Sequence, residues 1–267
     1  MTPDTLPTPA ARVLCDALLQ ARARGQALDL DPALLAGAPD DETGCAVAHA
    51  QGVALGAWAA DAVPGHWKSG GPGRQARLTH APLLPAGVHT VAQGQVADLR
   101  GLSFFAPRIE AEIALRLGQA VTPAQAAALT PEDAARVVDA FALSMEVVDS
   151  RWAAGAVVPP PAQLADFQVH GALVLGPWQP LSPRDWTAQA LTLAWDGQDS
   201  LAFTGTHTLG GPLWGVPAWL RHLTRHGQTV PAGTVVTTGS WSGCRPVPRG
   251  ATVRLAFEGL GTLACQL

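Results

Sequence analysis

Nine residues in the middle of the chain, Ile109-Glu110-Ala111-Glu112-Ile113-Ala114-Leu115-Arg116-Leu117, alternate apolar and polar side chains and stop at Gly118. A period of two is the period of a β-strand. Ile109, Ala111, Ile113, Leu115 and Leu117 therefore share one face, and Glu110, Glu112, Ala114 and Arg116 share the other. The apolar face demands cover, so the chain must build a sheet packed on at least one side. The other face holds two neighbouring carboxylates, which repel unless a cation lies between them or water screens them. Spacing alone leaves both readings open: the wet face of an antiparallel sheet, or a cation site.

Other segments fill in the class. Residues 8–25 predict a helix with Val13, Leu18, Leu19 and Ala21 on its apolar stripe. Asp40-Asp41-Glu42-Thr43 opens a second helix through Val47, Ala50, Val53 and Leu55, its acidic first turn matching the helix dipole. A Pro/Gly-rich stretch from Pro82 to Gly87 marks a boundary. Beyond it, Thr130-Pro131-Glu132-Asp133 reads as a helix start and predicts a helix to about Leu143. Met145–Asp149, Gly171–Gly176, Leu191–Asp196, Val235–Gly239, Thr252–Glu258 and Thr262–Leu267 read as strands, and Gly215–His226 as a helix. There is no internal repeat. Many strands with a few segregated helices make an α+β protein, with a small helical N-terminal region over 1–80 and a mostly stranded region over 81–267.

Composition removes several functions. A formal charge of −4 without basic clusters excludes a nucleic-acid partner. No run of eighteen apolar residues is present, so no membrane span is expected. The first residues, Met1-Thr2-Pro3-Asp4-Thr5, lack the basic-then-apolar layout of a signal peptide. Cys15, Cys45, Cys244 and Cys265 lie far apart, which argues against a disulfide framework or zinc site and for the reducing cytoplasm. With no tyrosine, phenolic acid–base chemistry is absent. Gly70-Gly71-Pro72-Gly73 lacks the Lys-Ser/Thr ending of a P-loop, and Gly239-Ser240-Trp241-Ser242-Gly243 carries tryptophan where a serine hydrolase has its nucleophile. His207, His222 and His226 read as surface or helix-end residues.

Two features remain. Glu146 interrupts the apolar run Met145-Glu146-Val147-Val148, where a charge is out of place unless paired. Together with Glu110 and Glu112 it makes three carboxylates, a donor set for a hard divalent cation, Mg²⁺ before Mn²⁺. The second feature is Lys68, the one lysine among seventeen basic residues. It sits between Trp67 and a Gly-rich turn. A compact ammonium there can orient or protonate an anionic substrate; the plain alternative is a surface lysine.

Pro107-Arg108-Ile109-Glu110-Ala111-Glu112-Ile113-Ala114, followed by Met145-Glu146-Val147-Val148-Asp149-Ser150-Arg151, resembles the 2-keto-4-pentenoate hydratase and 4-oxalocrotonate decarboxylase branch of the fumarylacetoacetate hydrolase superfamily. The segments Gly210–Leu223, Pro231–Ser240, Val247-Pro248-Arg249-Gly250 and Phe257–Gly261 agree with the way such chains end, so the resemblance runs from about Gly52 onward. It implies a C-terminal mixed β-roll after the helical region. It implies a metal held by Glu110, Glu112 and Glu146, with Lys68 as a pocket lysine. It places His80, Asp166 and His170 as candidate acid–base groups beside Lys68, and Leu117, Ser240 and Trp241 as substrate contacts. Arg108 and Arg151 flank the ligand segments and are expected to pair with carboxylates. Departures occur where many hydratases carry Asp-Asn-Ala-Ser-Ser-Gly, here Asp166-Phe167-Gln168-Val169-His170-Gly171, where Gly239-Ser240-Trp241-Ser242 gains an indole, and at Thr79-His80-Ala81-Pro82.

The implied activity is divalent-metal-dependent, running through a metal-bound enolate of a small 2-oxo acid. A 2-hydroxypenta-2,4-dienoate (2-keto-4-pentenoate) hydratase-like lyase is the leading form. A 2-oxo acid decarboxylase and an acylpyruvate-type C–C hydrolase are alternatives. A catalytically degenerate partner subunit is the alternative of another class. The resemblance also implies a homo-oligomer, or a complex with a related decarboxylase or hydratase.

Overall fold

The structure is a computed structural model that describes residues 2–267. It opens with α1 (Pro9–Arg24), α2 (Pro32–Leu35) and α3 (Asp41–Ala54). Each boundary has a local cause. Thr8 Oγ1 accepts from Ala11 N at 3.0 Å and Pro9 fills the first helical position of α1. Gly25, at φ 60°, ends that helix in a conformation that disfavours residues with a Cβ. Asp40 Oδ1 accepts from Thr43 N at 2.8 Å to cap α3.

The strands and remaining helices follow: β1 (His66–Gly70), β2 (Thr79–Pro82), β3 (Val88–Thr90), β4 (Val96–Asp98), β5 (Arg108–Leu117), α4 (Pro123–Ala128), β6 (Val138–Val148), α5 (Pro160–Ala165), β7 (His170–Leu175) and β8 (Gln179–Pro180). The last third holds β9 (Ala190–Trp195), β10 (Gln198–Thr204), α6 (Val216–Thr224), β11 (Val235–Thr238), β12 (Arg245–Pro246), β13 (Thr252–Phe257) and β14 (Gly261–Gln266). They form two mixed sheets. The larger runs β2-β1-β11-β5-β6-β7-β3, with β12 added to β5 and β8 to β6; the smaller runs β10-β9-β13-β14-β4. β1 pairs with β11, β3 with β7, and β14 with β4 in parallel; the other pairs are antiparallel.

The apolar face of β5 behaves as its alternation predicts. Ile109, Ala111, Ile113, Leu115 and Leu117 are buried in the main core with Met145 and Val147, against Leu193, Leu255, Phe257 and Leu263 of the small sheet. Full burial of one such side chain stabilises by about 1.5–3 kcal/mol. The opposite face is not the wet face that was one of the two open readings. Ala114, Leu173, Leu175, Val235 and Leu83 form a compact apolar cluster on it, and Glu112 is 4% exposed. A separate core joins the N-terminal helices to α5, with Leu14, Leu18, Val47 and Ala50 packed on Trp152 and Ala162.

Two expectations are corrected. Pro131–Leu143 is not a helix. Its start signal yields turns and a single 3₁₀ turn, Ala134–Arg136, after which Val138–Val148 is the strand between β5 and β7. A segment buried almost throughout by two neighbouring strands takes the conformation they impose, whatever its first turn favours. The helix lies earlier, at α4, where Thr122 and Gln125 make a capping box. The helical N-terminal region over 1–80 is likewise only partly helical. The N-terminal helices end at Ala54, and β1 and β2 are members of the large sheet.

Candidate metal and substrate site

Four adjacent strands, β1, β11, β5 and β6, bring the site together by register. Lys68 pairs with Thr237, Thr237 with Ala114, Glu112 with Ser144, and Glu110 with Glu146. Paired residues share a face, so one ammonium, two hydroxyls and three carboxylates emerge on the same side of the sheet. One ligand atom from each of Glu110, Glu112 and Glu146 lies within 4.8 Å of the others.

The polar contacts give each carboxylate a distinct state. Lys68 Nζ donates to Glu146 Oε1 at 2.6 Å and to the Gln168 carbonyl at 3.2 Å. His170 Nδ1 lies 3.0 Å from the same Oε1, and because a carboxylate only accepts, that nitrogen carries the proton. Glu146 Oε2, in contrast, is buried with no hydrogen-bond partner among the described residues. Thr237 donates to Glu112 Oε2, and its own oxygen lies 2.8 Å from Ser144 Oγ, so the chain of donation runs Ser144 to Thr237 to Glu112.

Burial pushes Glu112 well above the ordinary carboxylate range, and the charges of Glu146 and Glu110 add to the shift. Glu110 is raised by burial too, against the pull of Lys68. For Glu146 burial acts the same way, but Lys68 and His170 outweigh it and hold its pKa below the usual value. Burial would lower Lys68, yet the three glutamates around it raise it. The site thus sets three carboxyl groups against one ammonium, and burial pushes two of the three, Glu110 and Glu112, towards the protonated form. An unpartnered carboxylate oxygen, three converging carboxylates and no sulfur or imidazole ligand fit an oxygen-seeking divalent cation.

The carboxylates open onto a cleft of about 480 Å³. Lys68, Glu110, Glu112, Thr237, Gly239 and Ser240 line it, together with Gln163, Gln168, Arg77 and Thr208. A second cavity, of about 310 Å³, lies beside Trp67, Pro82 and His222, away from the carboxylates. Alternation along β1 separates them, Trp67 facing one cavity and Lys68 the other.

Among the residues singled out from the sequence, Glu110, Glu112, Lys68 and Ser240 line this cleft; Glu146, fully buried, lies beside Glu110 and Glu112 with His170 against it. Four others do not line it. Leu117 belongs to the apolar face of β5 and is in the core between the sheets. Trp241 is 1% exposed, packed edge-on against Phe257 at 5.4 Å and His207 at 4.3 Å. His80 turns from Lys68 towards Ser69 Oγ, 2.9 Å from its Nδ1, and the His222 ring; burial pushes its pKa down to about 3. Asp166 is fully buried. It accepts from Arg22 Nη2 at 2.8 Å and the Arg151 amide at 2.7 Å, with Arg151 Nε 3.4 Å away, so it clamps α1 to the segment after β6. Arg151 thus pairs with a carboxylate as expected. Arg108 does not: it donates to the Cys244 carbonyl at 2.7 Å.

Thr237, Ser144 and Gln168 went unremarked in the sequence. Thr237 had a usable signal, since two threonines in succession are unusual at the end of the apolar strand β11. Gln168 had none.

Comparison with known proteins gives the family and the fold. The family model described as fumarylacetoacetate (FAA) hydrolase C-terminal matches residues 71–267. A 4-oxalocrotonate decarboxylase of a Pseudomonas species is 27% identical over 174 residues, 65% of this chain and 65% of that protein. A 2-keto-4-pentenoate hydratase of Paraburkholderia phymatum is 33% identical over 180 residues, again 65% of each. The matched stretch therefore spans about 65% of the length of these relatives. Among solved structures, 4-oxalocrotonate decarboxylase from Pseudomonas putida G7, complexed with magnesium and adipate, superposes with a TM-score of 0.77 over 95% of both chains at 20% identity.

Proposed function

Because this chain belongs to the fumarylacetoacetate hydrolase C-terminal family, we propose that it is a divalent-metal-dependent lyase of small 2-oxo acids, a 2-keto-4-pentenoate hydratase-like enzyme. The observation that carries this reading is the convergence of Glu110, Glu112 and Glu146 beside Lys68, at a cleft that Lys68, Glu110 and Glu112 line. Glu110, Glu112 and Glu146 would hold Mg²⁺ or Mn²⁺, which when bound supplies Lewis-acid stabilisation of negative charge on a 2-oxo acid's oxygens.

The chain's own groups do the rest. An ammonium has three hydrogens. Glu146 Oε1 and the Gln168 carbonyl take two of Lys68's; the third is free to point into the cleft at the developing enolate oxygen or the carbon that gains a proton. Glu146 keeps Lys68 protonated at rest, so Nζ begins the cycle as an acid. His170 fixes the Glu146 carboxylate from behind through Nδ1. Burial depresses His170's own pKa and keeps it neutral, a holder of Glu146 rather than a second cation. The Ser144–Thr237 chain holds Glu112 in the same way.

The four cysteines are unpaired and buried or half-buried, in keeping with a reducing cytoplasm. No helix among the described residues is long and apolar enough to cross a membrane. Turnover of 2-hydroxypenta-2,4-dienoate, followed by loss of the dienol absorbance with Mg²⁺ and after chelation, tests the reading. It fails if the purified protein binds no divalent cation, or if it neither consumes the dienol nor exchanges the C3 protons of a 2-oxo acid in D₂O.

A further inference from the structure

The link between α5 and β7 is bent in a way that no sequence signal announces. Phe167, Gln168 and Val169 have φ of 53°, 53° and 55°. Three successive non-glycine residues in the left-handed region, one of them β-branched, is a rare and costly conformation. Such a run persists only where its surroundings over-determine it. Here they do. Asp166, just before it, is locked by Arg22 and Arg151. The Arg22 guanidinium lies 4.7 Å from the Phe167 ring centroid. His170, just after it, is tied to Glu146.

The turn sets Gln168 beside the site twice over. Its carbonyl receives Lys68 Nζ, and the residue lines the cleft together with Glu110 and Glu112. The Oε1 atom is buried and has no hydrogen-bond partner among the described residues. A buried amide oxygen at the wall of a reactant cleft is an acceptor whose desolvation is offset only when a donor arrives.

We propose that Gln168 is a positioning and specificity-determining residue for the reaction assigned above, on which this inference rests. Its carbonyl aims the Lys68 ammonium, and its amide oxygen takes an O–H donor of the reactants, either a hydroxyl of the substrate or the water that adds to it. The left-handed turn is the conformation that this double placement requires.

Three variants separate the backbone from the amide: Gln168→Ala keeps the strain and loses the amide, Gln168→Gly loses both, and Gln168→Asn eases the strain and keeps a shorter amide. Melting of metal-free protein should place Gln168→Gly about 2–4 °C above Gln168→Ala. Equal or reversed melting temperatures would overturn the strained placement. In Gln168→Ala with Mg²⁺, C3 proton exchange of pyruvate should fall by much less than turnover of the dienol, because the carbonyl on Lys68 remains. Turnover of the dienol should drop at least tenfold, with part of it restored in Gln168→Asn. A fall in kcat at constant KM identifies the donor as water; a rise in KM identifies a substrate hydroxyl. Unchanged turnover, or exchange and turnover falling together, would overturn the role of the amide. A wild-type protein inactive in both assays would sink the parent reading instead, and the melting comparison would still judge the turn.

Discussion

Glu110 and Glu146 stand directly opposite one another across the β5–β6 ladder. Like charges in that relationship are destabilising, by up to about 1 kcal/mol for an ordinary pair. Glu112 adds a third carboxylate within the same 4.8 Å group. The arrangement is costly for the metal-free protein and favourable only with a cation. Glu112→Gln, which can still accept from Thr237, should therefore leave the metal-free protein as stable as wild type or about 1 kcal/mol more so. The same variant should lose the stabilisation by Mg²⁺, which at a hundredfold excess over Kd is about 2.7 kcal/mol. Urea titrations with and without Mg²⁺ read both effects; a variant destabilised in each condition would show that Glu112 is held for the fold alone.

Lys68→Arg separates charge from proton transfer. Guanidinium stays protonated at any working pH. If Lys68 Nζ gives up a proton, turnover should fall at least about a hundredfold while substrate binding changes little. Steady-state kinetics alongside calorimetric binding of oxalate would distinguish this from a charge-only role, for which most of the activity would survive in the variant.

Asp166 should behave as a clamp. Asp166→Ala strands the buried Arg151 and half-buried Arg22 guanidinium groups, and breaking a buried pair costs about 3–5 kcal/mol. A general acid or base would lose roughly 10²–10⁴-fold in rate on removal. In the protein that remains folded, loss of a clamp should lower turnover without changing the shape of its pH profile, whereas loss of an acid or base removes one limb of the profile; both are read at a temperature well below the shifted melting point.

Acid should weaken the fold through buried histidines. Burial lowers His80 and His207 to about 3 from an ordinary value of 6.5. As pH falls below 6.5 the unfolded chain binds protons that the folded chain refuses until about pH 3. The stability is complete above 6.5 and is lost progressively down to 3. At pH 5 each residue accounts for on the order of 2 kcal/mol. Comparing wild type with His80→Gln in urea at pH 7 and pH 5 isolates the contribution; identical pH slopes for the two proteins would refute it.

The legible part of the site was the part where residue type alone carries chemistry. A single lysine and three glutamates in apolar strands declare themselves without knowledge of the fold. Residues whose role depends on which face they occupy were harder. Leu117 was expected in the pocket, although the same alternation that put Glu110 and Glu112 on one face put Leu117 on the other; the structure follows the alternation. Asp166 is polar, buried and close in sequence to the site, yet its partners come from α1 and the segment after β6, and that long-range pairing has no local signature. The same anchors force the left-handed run at Phe167–Val169. At β6 a helix start was present, but two flanking strands decided the outcome. Helix ends and turns are written locally; sheet membership depends on partners far along the chain.

The parallel pairing of β1 with β11 also has a kinetic side. Lys68 comes beside Thr237 only through contacts between strands near opposite ends of the chain. Closing so large a loop has a high entropic cost before any contact rewards it, and such contacts slow folding. The glutamates can meet through the local β5–β6 antiparallel pair well before that closure. A nascent chain emerging from the ribosome would thus expose a carboxylate pair able to attract cations while β1 still lacked β11, and the ammonium would reach Glu146 only once the C-terminal third had been made and the sheet had zipped shut around it.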